Sequence, residues 1–133
     1  MNIRKVALGF LGLLGLVVLA APASPAFDWS GTWTGSIDTG GMGVDTLTLV
    51  LKKADKIYAG TIEDSLGLID KNTAITEVKL DGDGISFSFK AVGGSMDFMM
   101  KLAVNDGKIS AQLANKAVGE WGSFESFSKS RRI

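Results

Sequence analysis

Apolar and polar residues alternate one for one along most of this chain, and no stretch sustains the 3.6-residue period of a helix. That pattern restricts the fold to strands with one buried face. In VDTLTLVLKK (44–53), Leu47, Leu49 and Leu51 share one face, and Thr46, Thr48, Val50 and Lys52 share the other. GISFSFKAV (84–92) turns Ile85, Phe87, Phe89 and Ala91 one way and Ser86, Ser88 and Lys90 the other, with β-favouring residues throughout. SMDFMMKLAV (95–104) directs Met96, Phe98, Met100, Leu102 and Val104 inward, and KISAQLAN (108–115) does so with Ile109, Ala111 and Leu113. Less regular runs at KIYAGTIE (56–63), TAITEVKL (73–80) and AVGEWGSFESFSK (117–129), with an opening strand around Trp29–Ile37, bring the number to eight.

The gaps between these runs carry turn chemistry and no helix caps. DTGGMG (38–43), KADK (53–56), DGDG (81–84), VGGS (92–95), NDG (105–107) and NKA (115–117) are short and rich in Asn, Asp or Gly, as hairpins require. Consecutive strands are therefore expected to pair antiparallel. The one longer gap, DSLGLIDKN (64–72), has room for a helical turn or a lid across an open end. The expected fold is all-β: an antiparallel up-and-down meander of about eight strands. Such a sheet removes its exposed edges by closing into a small barrel.

Ahead of this pattern lies MNIRKVALGFLGLLGLVVLAAPASPA (1–26). Arg4 and Lys5 precede an uninterrupted apolar run from Val6 to Ala21, and small residues follow, which is the pattern of a secretory signal helix. The run is shorter than the roughly 20 residues that span a bilayer. Cleavage after Ala23 or after Ala26 satisfies the small-x-small rule, and the latter starts the mature domain at Phe27, beside the first strand. Residues 1–26 then form a signal peptide and 27–133 one domain of 107 residues, with a periplasmic or secreted destination. Removing Arg4 and Lys5 leaves 12 basic against 14 acidic side chains, a balance without the concentrated basic surface that nucleic acid demands. Contact with a membrane is expected only through the signal peptide. The chain has no cysteine, so stability must come from burial and backbone pairing.

Along the opening strand, Trp29, Gly31, Trp33, Gly35 and Ile37 lie on one face. Large and absent side chains alternate there, as suits a tightly curved strand at a barrel floor, where indoles fill the bottom and glycines admit other groups. Gly31-Thr32-Trp33 resembles the Gly-x-Trp signature of lipocalins, and Arg131 or Arg132 resembles the arginine that packs over that tryptophan in the family. The stretch from Trp29 to Phe127 is similar to small exported bacterial lipocalin-like domains. Their layout of G-x-W-x-G, Y-x-G-T and a D-G-D hairpin is matched by Gly31–Gly35, Tyr58–Thr61 and Asp81–Gly84. The lipocalins' internal Thr-Asp-Tyr motif has no counterpart, and Lys108–Asn115 lacks the Gly-Thr that usually recurs there. The resemblance implies a barrel that holds a small apolar or amphiphilic ligand.

The residue inventory argues against catalysis. With no histidine and no cysteine, the Ser-His-Asp and Cys-His devices and the usual zinc ligands are missing. Ser126 and Lys129 spell S-x-x-K, but that pairing works on a helix, whereas on a strand the odd spacing sends the two to opposite faces. Glu63, Asp64, Asp70 and Glu77 lie near loops, where carboxylates ordinarily solvate the surface. Asp81 and Asp83 lack the further ligands of a calcium loop and read as a hairpin turn. No metal and no cofactor is expected.

An eight-stranded barrel is just wide enough to fill with its own side chains or to hold one small ligand. Val78 and Leu80 join the apolar residues already named as bulky inward candidates that fill the space. Met96 and Met100, with Met99 if a bulge turns it inward, sit near Phe87 and Phe89, and methionine suits an adaptable apolar site. The candidate ligand-binding residues are Tyr58, Leu68, Phe87, Phe89, Met96, Phe98 and Met100, with the gap at 65–69 as the doorway. Two readings stay open: an interior ligand site, or a solid core whose outer surface meets another envelope protein.

Overall fold

The computed structural model describes residues 27–130, so the signal segment and the arginines Arg131 and Arg132 lie outside the described residues. Ten strands run in chain order: β1 Gly31–Asp38, β2 Val44–Ala54, β3 Ile57–Asp64, β4 Thr73–Ala74, β5 Thr76–Asp81, β6 Gly84–Lys90, β7 Asp97–Asn105, β8 Lys108–Asn115, β9 Trp121–Ser123 and β10 Ser126–Lys129. They form two antiparallel five-stranded sheets, ordered β10-β1-β2-β3-β4 and β5-β6-β7-β8-β9. A short 3₁₀ turn at Val92–Gly94 is the one helical element among the described residues.

The expected single closed barrel is corrected to this pair of sheets, and the expected eight strands to ten. The reason lies in the two least regular runs, each of which bends and changes sheet midway. Between β4 and β5 the chain turns at Ile75, whose N–H donates to the Gly60 carbonyl (3.1 Å). Past Ile75 the backbone is irregular, with Glu77 at φ 52° and a register shift between Thr76 and Lys79. That bulge spoils the alternation, leaving Val78 half-buried and Leu80 exposed instead of inward. Between β9 and β10 the turn falls at Phe124–Glu125. The Phe124 N–H donates to Ala111 of one sheet (3.0 Å) and the Glu125 N–H to Ser36 of the other (2.8 Å). Single hydrogen bonds, not ladders, therefore join the sheets at both corners.

The alternating strands behave as read. Leu47, Leu49 and Leu51 of β2, Ile85, Phe87 and Phe89 of β6, and Met100 and Leu102 of β7 are buried in one core with Trp29, Trp33, Tyr58 and Ile62. The register of β6 on β7 is regular, with Phe87 opposite Met100 and Phe89 opposite Phe98. Met99 therefore stays on the outer face, half-buried opposite Ser88, and no bulge redirects it.

The tryptophans close one end. Trp29 and Trp33 are buried with ring centroids 5.3 Å apart, and the Trp33 Nε1–H donates to the Trp29 carbonyl (2.8 Å), satisfying the indole's only donor. Phe127 of β10 stacks on Trp33 at 5.8 Å, with the rings 7° from parallel. Gly35 makes that possible, since a Cβ there would strike the Phe127 and Phe124 rings and the Ser126 carbonyl. The Y-x-G-T stretch has a similar logic. The Tyr58 hydroxyl accepts a hydrogen bond from the Trp29 N–H (2.9 Å) and lies 3.3 Å from Asp28 Oδ1, while a Cβ on Gly60 would collide with the Val50 carbonyl. Within D-G-D-G, Asp81 pairs with Gly84 across a two-residue turn whose Gly82 has φ 59°.

Candidate functional site

Because consecutive strands run antiparallel, their connections alternate between two ends of the molecule. The chain start at Phe27–Ser30 and the tight turns at 55–56, 82–83 and 106–107 share the tryptophan end. The longer connections 39–43, 65–72, 91–96 and 116–120 share the opposite end, the loop end.

At the loop end the interior is lined by aromatic and sulfur-bearing side chains. Phe89 stacks on Phe98 with centroids 5.7 Å apart, and Phe87 lies 6.5 Å from Phe89. The segment 65–72 folds over this end without a helical turn. Its Ile69 is buried in the common core and its Leu68 is half-buried.

Two carboxylates hold that segment. Asp45 Oδ1 accepts from the N–H groups of Ser65 and Leu66 (3.2 Å each) and from the Ser65 hydroxyl (3.3 Å). Asp64 accepts from Leu68 N–H through Oδ2 (3.1 Å) and from Ile69 N–H through Oδ1 (3.0 Å). The Leu68 carbonyl receives the Val92 N–H (2.8 Å), and Asp70 Oδ2 receives the Gly93 N–H (3.2 Å), linking the loop to its neighbour. Asp45 is itself buried. Burial pushes its carboxyl up to about 6, and the adjoining Asp64 carboxyl adds to the rise by hydrogen bond and by charge, while the Leu66 amide and Ser65 oppose it. Paired carboxyls of this kind can move protons, but their oxygens already carry the amides and hydroxyl of the loop. Their chemistry is that of a clasp.

The sequence candidates divide between the two ends. Phe87, Phe89, Phe98 and Met100 come together on β6 and β7, and Leu68 sits on the segment that folds over that end. Tyr58 does not join them, since its hydroxyl is engaged with Trp29 at the tryptophan end. Met96 is corrected from inward to outward. β7 begins only at Asp97, so Met96 falls on the loop, where it is exposed and its sulfur accepts from Asn115 Nδ2 (3.3 Å). Sequence reasoning missed Asp45. The signal was available, because strict alternation places this acid on the same face as Leu47, Leu49 and Leu51.

The acids once weighed as catalytic have other partners. Asp64 belongs to the clasp, Glu77 pairs with Lys116 (2.5 Å), and Glu63 receives the Asn72 N–H (3.4 Å). A depression of about 510 Å³ at the loop-end rim is lined by Lys90, Met96, Asp97 and Asn115 among others, and one of about 250 Å³ at the tryptophan end by Phe27, Trp29, Tyr58 and Leu80 among others. Neither reaches Phe87 or Met100. Comparison with known protein families, with curated proteins and with solved structures finds no match.

Proposed function

We propose that this chain is an exported, non-catalytic lipocalin-like domain that takes a small apolar or amphiphilic molecule into its loop end. On this reading the two sheets act as one barrel of eight segments. The hydrogen bonds at Ile75, Phe124 and Glu125 support that, since they bridge both corners. The observation that carries the ligand reading is the segment 65–69. It presents Leu68 and Ile69 over the end that holds the Phe89–Phe98 stack, yet carboxylate–amide bonds fasten it. Such bonds contribute modestly and can be exchanged for water. Opening the clasp would give an apolar guest access to Phe98 and Phe89.

A solid-core reading also has a specific observation behind it. Phe87 and Phe89 are 2% exposed and Met100 0%, a packing that needs no guest. Native mass spectrometry of the exported protein, combined with uptake of a fluorescent fatty-acid probe, separates the two. A co-purifying apolar adduct, with probe uptake that Phe98→Ala weakens about tenfold or more, is the expected result. A bare polypeptide mass with no uptake would leave the solid-core interaction module standing instead.

A further inference from the structure

The loop end differs from the tryptophan end in a way that the ligand reading does not use. Its four connections expose Met42, Leu66, Val92, Met96 and Val118, with Met42 at 60% and Val118 at 66% exposure. None of the stretches 39–43, 65–69, 91–96 and 117–119 contains an ionisable residue. At the other end, Asp55 and Lys56, Asp83, and Asp106 each fall within a turn. Apolar tips at one pole and charged turns at the other make the molecule amphipathic along its length. Scattered single apolar residues on a surface need no explanation, but their concentration at one pole does.

The geometry points to end-on docking of these four loops into the interfacial zone of a zwitterionic phospholipid bilayer. Three observations choose this occupant over a protein. The tips are single side chains on four separate glycine-bearing loops. A Cβ added at Gly40, Gly41, Gly43, Gly67, Gly93, Gly94 or Gly119 would meet nothing within 4 Å, so the loops stand in open space instead of forming one packed face. A deformable lipid phase accepts separate tips, whereas a protein interface requires a close-fitting core.

Charge decides the type of bilayer. Burying the tips desolvates no charge, and the lysines beside them are engaged: Lys90 with Asp97 (2.6 Å) and Lys116 with Glu77. No cluster of free basic residues is present to select anionic headgroups. Lastly, Trp121 opens β9 next to this end and is exposed, where an indole suits the bilayer interface. This surface departs from the expectation that the signal peptide is the chain's only contact with a membrane, and it stands whether or not the interior takes a ligand.

The test uses the protein recovered after export, with its N-terminus read by mass, and phosphatidylcholine vesicles. Co-flotation is expected at both low and high salt. The double variant Met42→Asp, Val118→Asp should weaken it about tenfold or more while the melting temperature is held. Phosphatidylcholine brominated near the headgroup should quench the Trp121 fluorescence, a signal absent from Trp121→Phe, since Trp29 and Trp33 are buried. No flotation, flotation abolished by salt, or flotation equal in the double variant would each overturn the proposal. So would a wild-type dimer that the double variant dissociates and that ignores vesicles, because the tips would then serve a second copy. A lipid adduct in native mass spectra without vesicle binding would support the interior ligand site and sink this one.

Discussion

At the scale of single residues, two glycines explain more of this fold than any hydrophobic side chain. Gly60 lies where the Val50 carbonyl crosses β3, and its own carbonyl accepts the Ile75 N–H that starts one corner. Gly60→Ala should therefore cost about 3 kcal/mol or more, at or beyond the upper end for overpacked sites. Denaturant melts would check this, and a loss under about 1 kcal/mol would show that β2 and β3 can part without disturbing the corner. The Gly35 position makes the same kind of room for Phe127 under Trp33. Sequence reading recognised both glycines as part of a motif and recognised that glycine lets another group approach. It could not say which group, because the partner atoms come from segments 10 to 92 residues away in the chain. The buried tryptophans were legible for a simpler reason: two indoles on one face of a strand have nowhere else to go.

Among elements, the segment 65–69 carries the most consequence. Its gap was legible by length and composition, while its fastening was not, since the clasp depends on Asp45 meeting Asp64 across β2 and β3. The pair makes stability depend on pH. With the Asp45 carboxyl at about 6 in the fold and near 3.9 when unfolded, the unfolded chain gives up this proton first as pH rises. Stability from this group is complete below about pH 4 and is lost by the time pH has passed about 6, a fall of at most about 3 kcal/mol. Asp45→Asn keeps an oxygen for the Ser65 and Leu66 amides and adds donors that can face Asp64. Urea midpoints at pH 4, 5, 6 and 7 should show the wild type falling relative to Asp45→Asn across this window, with the variant the more stable at pH 7. Parallel profiles for the two proteins would show that Asp45 is ionised throughout. Met96 teaches the complementary lesson. Its alternation was read correctly, but the strand stopped one residue short of it, and period two holds only while the ladder does.

On the scale of the whole molecule, what was legible was the class of architecture: all-β, antiparallel, with each clear strand at its place in the order. What was not legible was the division into two sheets. A closed barrel and a pair of sheets joined at corners have the same alternation and the same turns. They differ only at Ile75 and Phe124–Glu125, where no residue type announces a change of partner. One further feature has a mechanical meaning. β1 and β10 are antiparallel neighbours, with Trp33 opposite Lys129, so the chain enters and leaves the fold side by side at the tryptophan end. A force pulling the two chain ends apart would thus peel β10 from β1 one hydrogen bond at a time instead of shearing the whole ladder at once. In optical tweezers the molecule should yield by unzipping, with β10 leaving first. Tension on the two ends would uncover Trp33 well before it reached the loops at the far end.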